Sequence, residues 1–134
     1  MTPADAQALL AEHFAPWVLD LGLEVTEIGA TETVTRMPLT PRLARVGGIV
    51  SGQALAAQAD TTMVLALAGH VGDFVPAGTV TLDTQFLRPG TGSAILCRAM
   101  IVRAGKSLAF ARAELTAEDS GKPVASATAT LALP

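Results

Sequence analysis

Between Gly48 and Gly69 the chain reads GIVSGQALAAQADTTMVLALAG, and Asp60 is the one charged side chain in it. At helical spacing Asp60 shares a face with Gln53, Ala56, Ala57, Met63, Val64 and Leu67, none of them a cation. An ionised acid among such neighbours is costly to desolvate, which raises its pKa and suits a general base or a nucleophile. The plainer alternative is a carboxylate that bonds a backbone amide or sits in a wet gap. The start of the same helix carries complementary chemistry. Ser51 is a good N-cap, and the free amides at Gly52 and Gln53, with the positive end of the helix dipole, could stabilise an oxyanion. Gly52 permits close approach by a ligand carbonyl, although Ser51-Gly52 could equally be a cap and nothing more. Gly52 and Asp60 are about eight residues, roughly 12 Å, apart along a helix, too far for both to touch one carbonyl from one chain. A site that uses both therefore needs two chains.

Other reactive types are less well placed. His13 and His70 are read as lacking a partner acid, and His70 at a helix C-terminus is favoured by the dipole alone. Cys97 lies in the apolar run Ala94 to Met100 and is expected to pack. Gly48-Ile-Val-Ser51-Gly52 is superficially similar to a serine-hydrolase elbow, which needs one residue between Gly and Ser together with a His and an acid. No cluster has metal-ligand spacing, so neither a metal nor any other cofactor is expected.

The elements that must position these residues follow from composition and pattern. A chain of 134 residues, half of them hydrophobic, is the size of one domain, 1–134, with one core. A net charge of −3, with nine scattered Lys and Arg, offers no basic stripe for a phosphate backbone, so nucleic acid is not an expected partner. The start MTPADAQALL has no basic segment followed by an apolar run, and one cysteine cannot form an internal disulfide. A cytoplasmic location is the resulting expectation. Gln58, Asp60, Thr61 and Thr62 interrupt the apolar run from Ala54 to Ala68, so that run reads as a buried helix and no membrane contact is expected.

Thr2, Pro3 and Asp5 open a short amphipathic helix that should end by Pro16. Leu21 to Ile28 and Thr31 to Pro38 alternate as a hairpin, and Thr40 to Val50 is a loop rich in Gly, Pro and Arg. The apolar helix begins after Ser51, with Gly69 as its expected stop. Four strands follow at Gly78 to Leu87, Ser93 to Val102, Leu108 to Ala117 and Pro123 to Leu131. The expected class is α+β, an antiparallel sheet of about six strands wrapped around one long central helix.

Gly48 to Thr62, the strand Thr79-Val-Thr-Leu-Asp-Thr-Gln-Phe-Leu-Arg-Pro89, Gly105-Lys-Ser-Leu-Ala-Phe110, Glu114-Leu-Thr116 and Gly121-Lys-Pro-Val-Ala125 together resemble a hotdog-fold acyl-CoA thioesterase of the phenylacetate-degradation (PaaI-like) type. The resemblance covers the chain from about Leu21 onward. It implies a homodimer or dimer of dimers with active sites between subunits, and it places Asp60 on the family's catalytic acid. Thr79 matches a hydroxyl that helps hold the attacking water. Gly48 and Met63 fall beside the substrate, and Arg88, Arg103 and Lys106 become candidates for the phosphates of CoA. Where the family commonly has Asn, His and a second Gly, this chain has Arg45, Ser51 and Gln53. Two functions follow. One is hydrolysis of acyl-CoA or aryl-CoA by Asp60, with the helix N-terminus as oxyanion hole. The other is a non-catalytic module that binds acyl-CoA or another apolar ligand.

Overall fold

The computed structural model describes residues 1–134. Helix α1 (Pro3–His13) starts with a reciprocal cap in which Thr2 Oγ1 accepts from the Asp5 amide and Asp5 accepts from the Thr2 amide. A second short helix, α2 (Pro16–Leu19), precedes the hairpin β1 (Glu24–Ile28) and β2 (Thr33–Pro38). After the loop, α3 (Gly52–Val71) leads to β3 (Gly78–Phe86), β4 (Ala94–Ala104), β5 (Leu108–Ala117) and β6 (Pro123–Ala132). The six strands form one sheet in the order β1-β2-β4-β5-β6-β3, every neighbouring pair antiparallel. The strand that follows the helix thus crosses to the far edge.

The sheet curls around α3 because its inner face is built largely of alanine. Ala99 on β4, Ala111 and Ala113 on β5, and Ala125, Ala127 and Ala129 on β6 are all buried, alternating with exposed residues along β5. Small side chains there let Leu55, Met63 and Leu67 of α3 fill the space between helix and sheet. A polar chain crosses this core. The Gln58 amide donates to the Ile95 carbonyl (3.0 Å) and to Thr35 Oγ1 (3.3 Å), Thr35 and Thr62 hydroxyls lie 2.8 Å apart, and Thr62 donates back to the Gln58 carbonyl. These bonds tie the helix to β2 and β4 and fix its rotation about its own axis. No helix is long and apolar enough to cross a membrane.

Gly69 does not stop α3. The helix runs on to Val71 and ends at Gly72, whose φ of 91° is the left-handed cap. His70 accordingly lies in the last turn, its Nδ1 3.1 Å from the Ala30 carbonyl oxygen. Gly69 is glycine for a different reason. A Cβ there would stand 2.7 Å from the Gly29 carbonyl oxygen and 2.8 Å from Ile28 Cγ1. It is the contact at which the β1–β2 turn meets the helix.

Two surfaces stay open. Along α3, Gln53 is exposed and Ala56, Ala57, Asp60 and Val64 are half-buried, forming one stripe at i, i+3, i+4 and i+7 spacing. Beside it runs β3, an edge strand with almost no burial on either face, which exposes Val80, Leu82 and Phe86.

Alanine in place of glycine inside a helix ordinarily stabilises by up to about 1 kcal/mol. At position 69 the crowding should reverse that sign, and Gly69→Ala should lose roughly 1–3 kcal/mol in urea unfolding. Equal or greater stability would show that the turn yields freely.

Candidate active site

The middle of α3 and the start of β3 converge on the acid. Thr79 Oγ1 donates to Asp60 Oδ1 at 2.8 Å, at a point where a bulge between Thr79 and Thr81 shifts the register against β6. The pairing of Thr79 with Leu131 turns its side chain to the inner face of the sheet. Asp60 is not enclosed as its apolar neighbours suggest. Met63 and Leu67 are fully buried on the sheet side, whereas Ala56, Ala57 and Val64 lie with Asp60 on the open stripe. Met63, expected beside the substrate, is instead part of the hydrophobic core.

The oxyanion candidate lies one end of the helix away. Ser51 Oγ accepts from the Ala54 amide at 3.2 Å, and the Leu55 amide bonds the Ser51 carbonyl. The Gly52 and Gln53 amides find no acceptor within the chain. Gly52 also meets the ring of Phe86, since a Cβ there would be 3.3 Å from Phe86 Cζ. A cavity of about 330 Å³ opens on this side, bounded by Arg45, Gly52, Leu55, Phe86 and Arg88. On the other side of the same helix end, Trp17, Leu21, Leu43, Ser51 and Gln53 bound a cavity of about 230 Å³. A larger depression, about 540 Å³, lies under the loop and takes in Arg45 and Gly48 but no residue of α3. Gly48 therefore lies next to the site and outside its floor.

Strand register separates the cations. Leu108 and Gly78 both pair with Ala132, so Arg103 at the end of β4 and Lys106 in the β4–β5 turn sit at the Thr79 end of the sheet. Arg88 follows β3 at the Phe86 end. One chain thus brings Asp60 and Thr79 together at one place, and Ser51, Gly52, Gln53, Arg45 and Arg88 at another. Arg45 and Arg88 form no ion pair, while Arg36 is held by Glu118 and Glu24, Arg98 by Glu32 and Glu27, and Arg42 by Asp20. The bidentate contact of Arg36 holds the Glu118 carboxyl below the usual carboxylate range.

The remaining reactive side chains are committed elsewhere. His13, which the sequence reading left without an acid, has its ring 3.8 Å from Glu12 and stacks on Phe74 with ring centroids 3.9 Å apart. Cys97 is fully buried, and burial pushes its thiol up to about 12. No three metal-ligating side chains come together. Two features had no readable signal in the sequence: the seat of Phe86 on Gly52, and the place of Trp17 beside the first turn of α3. Each depends on how distant elements cross.

Residues 47–124 match the family described as the thioesterase superfamily. Over 92 residues, 68% of each chain, the sequence is 35% identical to Ta0293 of Thermoplasma acidophilum, whose name proposes an esterase. Over 53 residues it is 45% identical to the medium/long-chain acyl-CoA thioesterase YigI of Salmonella typhimurium, a match covering 40% of this chain and 34% of that one. Among solved structures, zebrafish thioesterase superfamily member 2 superposes with a TM-score of 0.86 at 22% identity, covering 100% of this chain and 99% of the other. The thioesterase HI1161 of Haemophilus influenzae does so with a TM-score of 0.88 at 20% identity, covering 100% and 91%. At these identities the structural likeness is one of fold, and that fold is the hotdog.

Because burial keeps the Cys97 thiol protonated at pH 8 and seals it from solvent, a thiol reagent at that pH should label native protein negligibly and label it stoichiometrically after denaturation. Rapid labelling of the native form would place Cys97 at an accessible site.

Proposed function

The chain belongs to the thioesterase superfamily, and on that premise we propose that it hydrolyses acyl-CoA or aryl-CoA thioesters to the free acid and CoA, as a PaaI-like member. The observation that carries this reading is the bond from Thr79 to Asp60 on an otherwise open helix stripe. Thr79 occupies Oδ1 and orients the carboxylate, leaving Oδ2 free to face a water or a carbonyl carbon. As general base, Asp60 takes a proton from water while the oxygen adds to the thioester carbon. The developing oxyanion is held by the Gly52 and Gln53 amides. Collapse expels the CoA thiolate, which recovers the proton from Asp60. As nucleophile, Asp60 would instead form an acyl anhydride that water then opens.

The two half-sites are joined by a second copy of the chain. Strand β3 is a bare edge, and two such edges pairing antiparallel across a two-fold axis bring the Thr79 end of one chain to the Phe86 end of the other. Asp60 of one protomer then faces the α3 N-terminus of its partner. The working unit is accordingly a homodimer, alone or within a dimer of dimers. Arg103 and Lys106 of one chain approach the Arg88 end of the other by the same operation, which gathers the cations around the phosphates of CoA.

The binding-module reading is favoured by one observation, the presence of Arg45, Ser51 and Gln53 where relatives of the PaaI-like type commonly carry Asn, His and Gly. Thiol release from a panel of short, medium and aryl thioesters separates the two. Hydrolysis supports the enzyme, and tight binding without release supports the module.

Asp60→Asn keeps the shape of the side chain and should lower turnover by about 100-fold or more, with melting nearly unchanged. Turnover near that of the wild type removes Asp60 from the mechanism. Gly52→Val should also be nearly inactive, since a branched side chain would drive into Phe86 and crowd the amide. Co-refolded, these two inactive proteins should recover up to about a quarter of wild-type activity, because half the random pairs are mixed and each mixed pair keeps one intact site. Mixed dimers that form, as shown by tags on the two variants, yet stay at parental activity would exclude a shared site.

A further inference from the structure

A thioester carbonyl seated on the α3 amides must send its two substituents in different directions, and the structure offers one cavity on each side of that helix end. The two differ in chemistry. The cavity on the β3 side carries Arg45 and Arg88, neither in an ion pair, and no acid lines it. The cavity on the α2 side has a buried apolar floor of Leu21, Leu43 and Ala54. Its only charges, Arg42 and Asp20, neutralise one another at 3.6 Å. Trp17 forms its outer wall and is 61% exposed, an unusual position for the one tryptophan of the chain. Ser51 and Gln53 complete the lining of this cavity. A hollow walled by an uncovered indole, floored by aliphatic groups and without an unpaired charge suits an apolar group better than an anionic one.

Resting on the thioesterase reading, we propose that Trp17 walls the acyl side of the site and sets the preference for the acyl group, while the arginine side takes the anionic half of the substrate. The charge difference decides which half goes where. Phosphates are favoured beside unpaired guanidinium groups over a hollow whose only charges are paired, and a phenyl ring or a mid-length alkyl chain is favoured against the indole and the aliphatic floor. The α2-side cavity, about 230 Å³, has room for an aryl group or a short to medium acyl chain. Trp17 is a specificity determinant in this scheme, with no part in the bond-making step.

The lone tryptophan makes the test direct. Emission of the intact protein is followed while it is titrated with a non-hydrolysable octanoyl-CoA thioether, and separately with CoA, with calorimetry establishing binding of each. The expected result is a saturable blue shift with the thioether and little change with CoA. Thioether binding with unchanged emission overturns the proposal, as does an emission already blue-shifted in the free protein and unresponsive to ligand, the sign of a partner chain covering Trp17. So does an absence of thioether binding by calorimetry. In the kinetic arm, Trp17→Ala should raise KM roughly tenfold for octanoyl-CoA and phenylacetyl-CoA and by a much smaller factor for acetyl-CoA, with Trp17→Phe restoring most of the loss. A uniform effect on all three, or none, overturns it. The thioesterase reading fails independently. A protein that shifts its emission with the thioether but hydrolyses no thioester retains the acyl-side assignment without the enzyme.

Discussion

A sheet of six strands cannot close around a twenty-residue apolar helix, and the rest of this molecule is arranged around that shortfall. Alanines on β4, β5 and β6 let α3 sink far enough to bury eleven of its twenty residues. The sheet ends at β3, and the helix stripe from Gln53 to Val64 remains in the open. For a purely structural helix such a stripe would be a defect, because apolar surface left in water forgoes roughly 25 cal/mol per Å². Here it carries the one helix carboxylate and lies beside an unpaired edge strand. Incomplete burial and an incomplete site are thus the same feature, and one partner chain would remove both.

What holds the helix in register is polar. The chain from Ile95 through Gln58, Thr35 and Thr62 leaves no rotational slack, because each hydroxyl both donates and accepts. Asp60 lies two residues from both Gln58 and Thr62, so the direction in which the acid points is fixed by bonds on the opposite face. The Thr79 contact then fixes the carboxylate itself. The acid is thus oriented without a ligand, and in the proposed role as base it would act in the transition state without a further loss of entropy.

The strands, the long helix and the cap at Ser51 were legible because they rest on local signals: alternation, apolar content and a hydroxyl before the first turn. Gly69 misled because a glycine near a helix end is ambiguous between a left-handed stop and a close approach, and only the position of the β1–β2 turn distinguishes them. Asp60 lacks the apolar enclosure that its neighbours in sequence suggest. Helical spacing says which residues share a face, and a face wide enough to include both Met63 and Ala57 spans buried and open sectors at once. The resemblance places Met63, Arg103 and Lys106 with the substrate. Helix rotation puts Met63 in the core, and strand register puts Arg103 and Lys106 at the Thr79 end of β3, at the opposite end from Arg88; both are set by contacts far apart in the chain.

The departures at Arg45, Ser51 and Gln53 bear unequally on chemistry. An oxyanion held by backbone amides is largely indifferent to the side chains that follow them, so exchange of His for Ser51 or of Gly for Gln53 leaves those donors in place. Ser51 retains the capping bond that keeps the first turn wound, and the amides aimed outward. A proton, by contrast, must be taken up by a side chain, and a serine hydroxyl, which can hydrogen-bond a water but is no base near neutral pH, does not replace an imidazole there. In the proposed mechanism the proton work would fall on Asp60, whose carboxylate accepts from Thr79. Arg45, in turn, adds a positive charge where the commoner residue is neutral, and it does so on the cavity that also holds Arg88. On the proposed mechanism the substitutions would therefore conserve the electrostatic half of the site, concentrate its acid–base half in one carboxylate, and strengthen the attraction for the charged part of a substrate.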